Sequence, residues 1–188
     1  MNDSPDLAAA VLADFSRTFR QYKALADKAL AQLRDDEWLL VPAPGSNSVA
    51  VIVQHMAGNL RSRFTDFLTT DGEKPNRQRE QEFAPPASAA AVAGLRAAWE
   101  EAWQILFDTL GALSGADLLR TVRIRHEPHT VVAALQRQLA HHCSHVGQLV
   151  LLAKLLRGAD FESLSIPPGH SAAFNQQKAG AAAAPDGR

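Results

Sequence analysis

TVVAALQRQLAHHCSHVGQLVLLAKLLRG, residues 130–158, carries apolar side chains at spacings of three and four for seven turns and stops at a glycine. That period predicts a helix from about Thr130 to Arg157, with Gly158 as its C-terminal stop. On a helical wheel Val131, Leu135, Leu139, Val146, Leu149 and Ala153 define a buried arc, with Leu152 at its edge. The same stretch holds three of the chain's seven histidines. His141 and His145 are four apart and His142 and His145 three apart, so either pair shares a helix face. His142 lies near the middle of the buried arc and His141 near its margin. Periodicity does not choose between them.

Outward from this helix the chain divides into three more. From about Asp6 to Arg34, Leu7, Val11, Phe15, Thr18, Tyr22, Leu25, Ala29 and Leu33 form a stripe, and Ser4-Pro5 suits a helix start. The prolines and glycine of WLLVPAPGSNS end that helix. Asn47 or Ser48 then caps a second, VAVIVQHMAGNLRSRFTDFL, with Val49, Ile52, Val53, Met56, Leu60, Phe64 and Phe67 inward. Its β-branched start would suit a strand, but the stripe persists to Phe67. After the polar connection TTDGEKPNRQREQEFAPP, Ser88 precedes a third helix, AAAVAGLRAAWEEAWQILFDTL. Leu95, Trp99, Trp103, Leu106 and Leu110 face inward, and Gly111 and Gly115 end it. TVRIRHEPHT reads as a short extended segment, too short for a sheet. DFESLSIPPGHSAAFN reads as an ordered loop, and QQKAGAAAAPDGR is low in complexity, which predicts disorder. The expectation is an all-α four-helix bundle with long connections. It forms one domain over residues 1–175, and residues 176–188 form a disordered tail.

Composition narrows the function classes. The chain has 188 residues, 46% hydrophobic and 21% charged, with a formal net charge of -1. That balance lacks the cationic excess a phosphate-binding surface needs, so no nucleic-acid partner is expected. No apolar run reaches bilayer length, so no membrane partner is expected either. MNDSPDLAAAVLADF carries acids where a secretory signal has basic residues, which makes the cytoplasm the expected location. Cys143 is the single cysteine, so any metal would be held mainly by His, Asp or Glu. Cys143 itself reads as a small apolar helix residue. It sits two positions, about 200°, from both His141 and His145.

Bundle metal sites draw ligands from facing helices, and His55, well inside the second helix, is the natural third imidazole. His126, His129 and His170 fall in predicted loops and are secondary candidates. A helical pair of histidines alone is more often a polar patch, and a lone buried histidine is more often hydrogen-bonded in a core. It is the combination that points to a metal.

HHCSHVGQLVLLAK resembles the last bundle helix of the DinB/YfiT-like superfamily, where H-x-x-x-H-x-G-Q supplies two metal-binding histidines. The match falls on His141, His145, Gly147 and Gln148. SNSVAVIVQHMAGNLRSRFTDFLTTDGEKP looks like the second helix of an uncharacterised branch, with its histidine at His55, and SLSIPPGHSAAFN is similar to that branch's closing segment. The resemblance covers about Asp36 to Asn175. It implies a homodimeric four-helix bundle in which His55, His141 and His145 bind a divalent ion, and it leaves His142 as a neighbour in the core. The superfamily includes transferases that use low-molecular-weight thiols such as bacillithiol or mycothiol, and many members without known activity. The implied function is a metal-dependent thiol S-transferase or hydrolase acting on an electrophilic small molecule. The alternative is a non-catalytic metal-binding or stress-associated bundle, and a dimeric interaction module comes third. Imidazole ligands suit zinc, nickel, iron and copper alike. Arg61 and Arg63 would serve to attract a carboxylate-bearing thiol, with solvated surface residues as the default reading. Asp66 and Gln148 would orient ligands, and Gln148 reads equally as a structural hydrogen-bonder.

Overall fold

The computed structural model describes residues 7–167 and 169–183, without the side chains of 180–183. Helix α1 spans Leu7–Leu30, α2 Val49–Phe64, α3 Val92–Ala112 and α4 Val131–Arg157. Ser48 caps α2, its hydroxyl accepting from the Val51 amide, and Thr130 caps α4 in the same way through the Ala133 amide. Each cap satisfies one of the amides that a helix start leaves without an internal partner. Helix α2 ends at Phe64, short of the expected Leu68, and Asp66 turns into the left-handed region at φ 49°. Phe67 still reaches the core from that turn, which is why the apolar stripe outlasts the helix. Gly111 does not end α3 but lies inside its last turn, and the backbone becomes extended at Leu113.

Side-chain contacts fix the helix directions. Trp99 Nε1 donates to Asp27 Oδ1 at 2.8 Å and the Arg20 guanidinium covers the Phe107 ring at 4.3 Å, so α1 and α3 are antiparallel. Arg61 pairs with Glu101 at 2.9 Å, and Thr109 Oγ1 donates to the Phe64 carbonyl at 3.0 Å. Helices α2 and α3 therefore run parallel. Phe19 packs on His142 and Glu37 pairs with Arg157, so α1 and α4 are also parallel. The bundle is up-down-down-up, a topology that periodicity had left open. Parallel neighbours need a long return, and residues 65–91 supply it.

Between the helices lies one core, centred on Phe19, Trp38, Met56, Leu60, Phe64, Trp103, Leu106, Leu135 and Leu149, all without exposure beyond 2%. Full burial of each such side chain is worth about 1.5–3 kcal/mol. On α1 the buried face is Leu12, Phe19, Ala26, Ala29 and Leu30, with Val11, Phe15, Tyr22 and Leu25 flanking it and Leu7 exposed. The expected stripe was thus rotated by about one residue, because Tyr22 and Leu25 pack at the seam rather than the centre. On α4, Gln138 is buried where Leu139 was expected.

Strands β1 (Thr121–Ile124) and β2 (Glu127–Thr130) pair antiparallel, so TVRIRHEPHT does form a sheet, of two strands. Its turn residues Arg125 and His126 both have positive φ, 55° and 66°. A two-residue turn of this kind normally uses Asn or Gly, because each other residue pays a steric cost. The absence of that signature concealed the hairpin in the sequence. Asp71 supplies the compensation: its carboxylate accepts from the amides of Arg125 at 2.9 Å and His126 at 2.7 Å, and from the Glu73 amide at 2.7 Å.

The closing segment packs Phe161 and Leu164 on the core. Helix α5, Ser171–Ala183, follows, and its described side chains are exposed. Residues 176–183, read as part of a disordered tail, thus continue this helix, and a helix of this length is marginal in water on its own. Residues 184–188 lie outside the described residues. Among the described residues no helix is long and apolar enough to cross a membrane.

Partial burial would raise the Asp71 pKa, but the three amide hydrogen bonds outweigh it and lower it from 3.8 to about 2. A lowered folded-state pKa stabilises above the unfolded value and is lost as pH falls through the folded one. Asp71→Asn is therefore expected to lower the melting temperature by a constant amount above about pH 5, with the gap closing toward pH 2. Thermal melts across that range check it, and a gap independent of pH would remove Asp71 from the turn.

Candidate metal centre

His55 stands in the middle of α2, and His141 and His145 on successive turns of α4. The antiparallel packing of these two helices aims all three rings at one point. His55 Nε2 lies 3.3 Å from His141 Nε2, and His145 Nε2 lies 3.1 Å from the same atom. One ring nitrogen from each residue falls within 4.8 Å of the other two. Tetrahedral ligands at a metal–nitrogen distance of about 2.0–2.1 Å would stand roughly 3.3–3.4 Å apart, close to the two short separations.

On two of the rings the other nitrogen is occupied. His55 Nδ1 donates to Glu82 Oε2 at 2.9 Å, and His145 Nδ1 donates to Gln148 Oε1 at 2.8 Å. Protons on both Nδ1 atoms leave lone pairs on both Nε2 atoms, facing His141 Nε2. A single proton there can serve only one of them. A cation at the common point satisfies all three. Burial first, then the neighbouring His145 and His55, lower the His141 pKa to about 4, and burial lowers that of His145. At neutral pH both rings are uncharged, the form that ligates.

Glu82 is a residue the sequence reading missed. It comes from the connection between α2 and α3, in a short 3-10 turn spanning Arg79–Phe83. Burial would raise its pKa, but hydrogen bonds from Arg77 and then His55 outweigh this and hold it below the usual range. Its carboxylate lies against the α2 backbone at Gly58. A Cβ on Gly58 would overlap the carboxylate oxygen and stand 2.7 Å from Cδ. The available signal was H-x-x-G inside a helix, since an interior glycine costs about 1 kcal/mol relative to alanine and calls for a reason.

The remaining candidates separate cleanly. Gln148 holds His145, as one of its two expected roles required. Asp66 is exposed and its carbonyl accepts from Thr69 and Thr70 in the turn after α2. Arg63 is not a solvated surface residue: it is 5% exposed, pairs with Glu73 at 2.9 Å and donates to the Gly72 carbonyl. Arg61 is exposed and pairs with Glu101. His142 is fully buried, with the rings of Trp103 and Phe19 at 5.6 and 6.5 Å. Cys143 faces Tyr22 on α1, away from the imidazoles, and burial raises its thiol pKa. His126 lies in the hairpin turn, His129 on β2 and His170 beyond α4. A cleft of about 1000 Å³ between α2, α3 and their connection is lined by Arg77 and Glu82 but by none of the three histidines.

The model of one family, Protein of unknown function (DUF1572), matches residues 6–170. The chain belongs to DUF1572. The match spans all four bundle helices in full, and takes in His55, Glu82, His141 and His145 alike. No curated protein matches the chain.

Because Arg77 grips the Glu82 carboxylate, that carboxylate cannot give way freely to a new Cβ. Gly58→Ala is expected to keep or raise helical circular dichroism, yet lower stability by about 1–3 kcal/mol through a poorly satisfied buried carboxylate. A double-mutant cycle with Glu82→Gln should show strong non-additivity. A Gly58→Ala protein more stable than wild type would contradict the contact.

Proposed function

We propose that this DUF1572 protein is a divalent-metal-binding bundle of the DinB/YfiT-like kind. His55, His141 and His145 hold the ion, which is zinc, nickel or iron. The observation that carries the reading is the convergence of three Nε2 atoms whose Nδ1 partners, Glu82 and Gln148, fix two of the rings in the ligating tautomer. A divalent ion held by three neutral imidazoles keeps its positive charge and would acidify a thiol or water that reaches it. The chain's own contribution is orientation: Glu82 holds His55, Gln148 holds His145, and burial keeps His141 neutral.

Among the described residues no fourth His, Cys, Asp or Glu joins the cluster. That supports an accessible position and hence a metal-dependent thiol S-transferase or hydrolase, with a low-molecular-weight thiol and an electrophilic small molecule as partners. We further propose a cytoplasmic homodimer. Leu151 and Leu155, 57% and 61% exposed on the outer face of α4, are apolar side chains such a dimer would cover. The second reading is a non-catalytic metal-binding or stress-associated bundle. It is favoured by the separation of the large cleft from the imidazoles.

Elemental analysis of tag-free protein should give one metal per chain, lost in His141→Ala/His145→Ala. Substoichiometric metal in wild type, or full retention in the double variant, overturns the assignment. His142→Ala should weaken metal binding less than His141→Ala, measured by titration, and the reverse order would place the ligand pair at 142 and 145. In the cobalt-substituted protein, a small thiol should produce a sulfur-to-metal charge-transfer band that is absent in His145→Ala. A spectrum unchanged at saturating thiol removes the transferase reading and leaves the non-catalytic one.

A further inference from the structure

We propose that Arg77 is a positioning residue for His55, acting through Glu82, and that the α2–α3 connection is anchored to the hairpin so as to hold it there. As a role toward a metal ligand, this rests on the metal-binding reading above.

Arg77 Nε donates to Glu82 Oε1 at 2.7 Å and Nη2 donates to Oε2 at 2.8 Å. This is a forked, two-point grip by a guanidinium only 4% exposed. Oε2 is also the atom that accepts from His55 Nδ1. The same atom therefore sets both the tautomer and the ring angle of His55, and Arg77 decides where that atom lies. Gln54 of α2 fastens the backbone on either side of Glu82, donating to the Gln81 and Ala84 carbonyls at 2.7 and 3.3 Å. Among the described contacts the carboxylate itself is held by Arg77 and His55. Without the grip only the imidazole it is meant to orient would restrain it, and the cleft beside it, also lined by Gly58 and Arg77, offers the carboxylate somewhere to go.

Arg77 is anchored in turn. Its Nη1 lies 3.5 Å from both Glu73 carboxylate oxygens, and Glu73 pairs with Arg63 at 2.9 Å and Arg125 at 3.1 Å. Arg63 comes from α2 and Arg125 from the hairpin turn, whose amides are held by Asp71, two residues before Glu73. Alternating charges thus run from the hairpin turn through Glu73, Arg77 and Glu82 to His55. Lysine offers a single point charge and cannot reproduce the fork.

The test compares Arg77→Met and Arg77→Lys with Arg61→Met, a cleft-lining control whose partner is Glu101. Two readouts are taken: cobalt affinity, and, in metal-free protein, the slowly exchanging His55 Nδ1–H proton resonance, assigned by its loss in His55→Gln. Loss of a carboxylate partner behind a ligating histidine typically costs 10–100-fold in metal affinity. Arg77→Met should fall by that amount and lose the resonance, and Arg77→Lys should fall by about tenfold, while Arg61→Met stays within twofold of wild type. Arg77→Met with a lower melting temperature but wild-type affinity and resonance overturns the proposal. If Arg77→Met does not fold, a folded Arg77→Lys with wild-type values overturns it instead. Wild type that takes up no cobalt, while Arg77→Met still loses the resonance, refutes the metal reading and leaves the positioning of His55 standing.

Discussion

A carboxylate taken out of water must be paired, and the placement of Glu82 follows from that constraint. The charge is tolerated because Arg77 meets it with two donors and His55 with a third. The carboxylate reaches His55 because Gly58 carries no side chain where it lies. The connection that delivers Glu82 exists because α2 and α3 run parallel and the chain must travel back the length of the bundle between them. Topology, a glycine and an ion pair thus converge on the orientation of one imidazole.

The second imidazole is oriented more simply. His145 and Gln148 are three apart on α4, so helix geometry alone brings amide and ring together. His141 depends on neither device. Its place at the margin of the buried arc keeps it uncharged, while His142, one residue on, turns fully into the core against Trp103. Adjacent histidines on one helix thereby have different surroundings, set by the 100° between them.

The four helices were legible from local period, and Ser48 as the cap of α2 from its place before the second stripe. The meeting of His55, His141 and His145 was legible only through the family resemblance, since period left His141 and His142 equal. What escaped has a common cause. Glu82, Arg77 and Glu73 lie in a connection without apolar period, where only the folded chain shows which charges are buried. The hairpin escaped because Arg125 and His126 hold positive φ with help from Asp71, a partner 54 residues away in sequence. The rotation of the α1 stripe and the burial of Gln138 are packing choices between neighbouring residues, which period alone leaves undetermined.

The parallel arrangement of α2 and α3 also bears on how the chain folds. Antiparallel neighbours joined by a short turn can zip locally, but this pair meets only after residues 65–91 have been closed into a loop. The contacts completing the site, such as His55 with His141, 86 residues on, are more distant still. A mainly helical chain thereby carries a share of the non-local closure more usual in β proteins, and closure entropy slows folding accordingly.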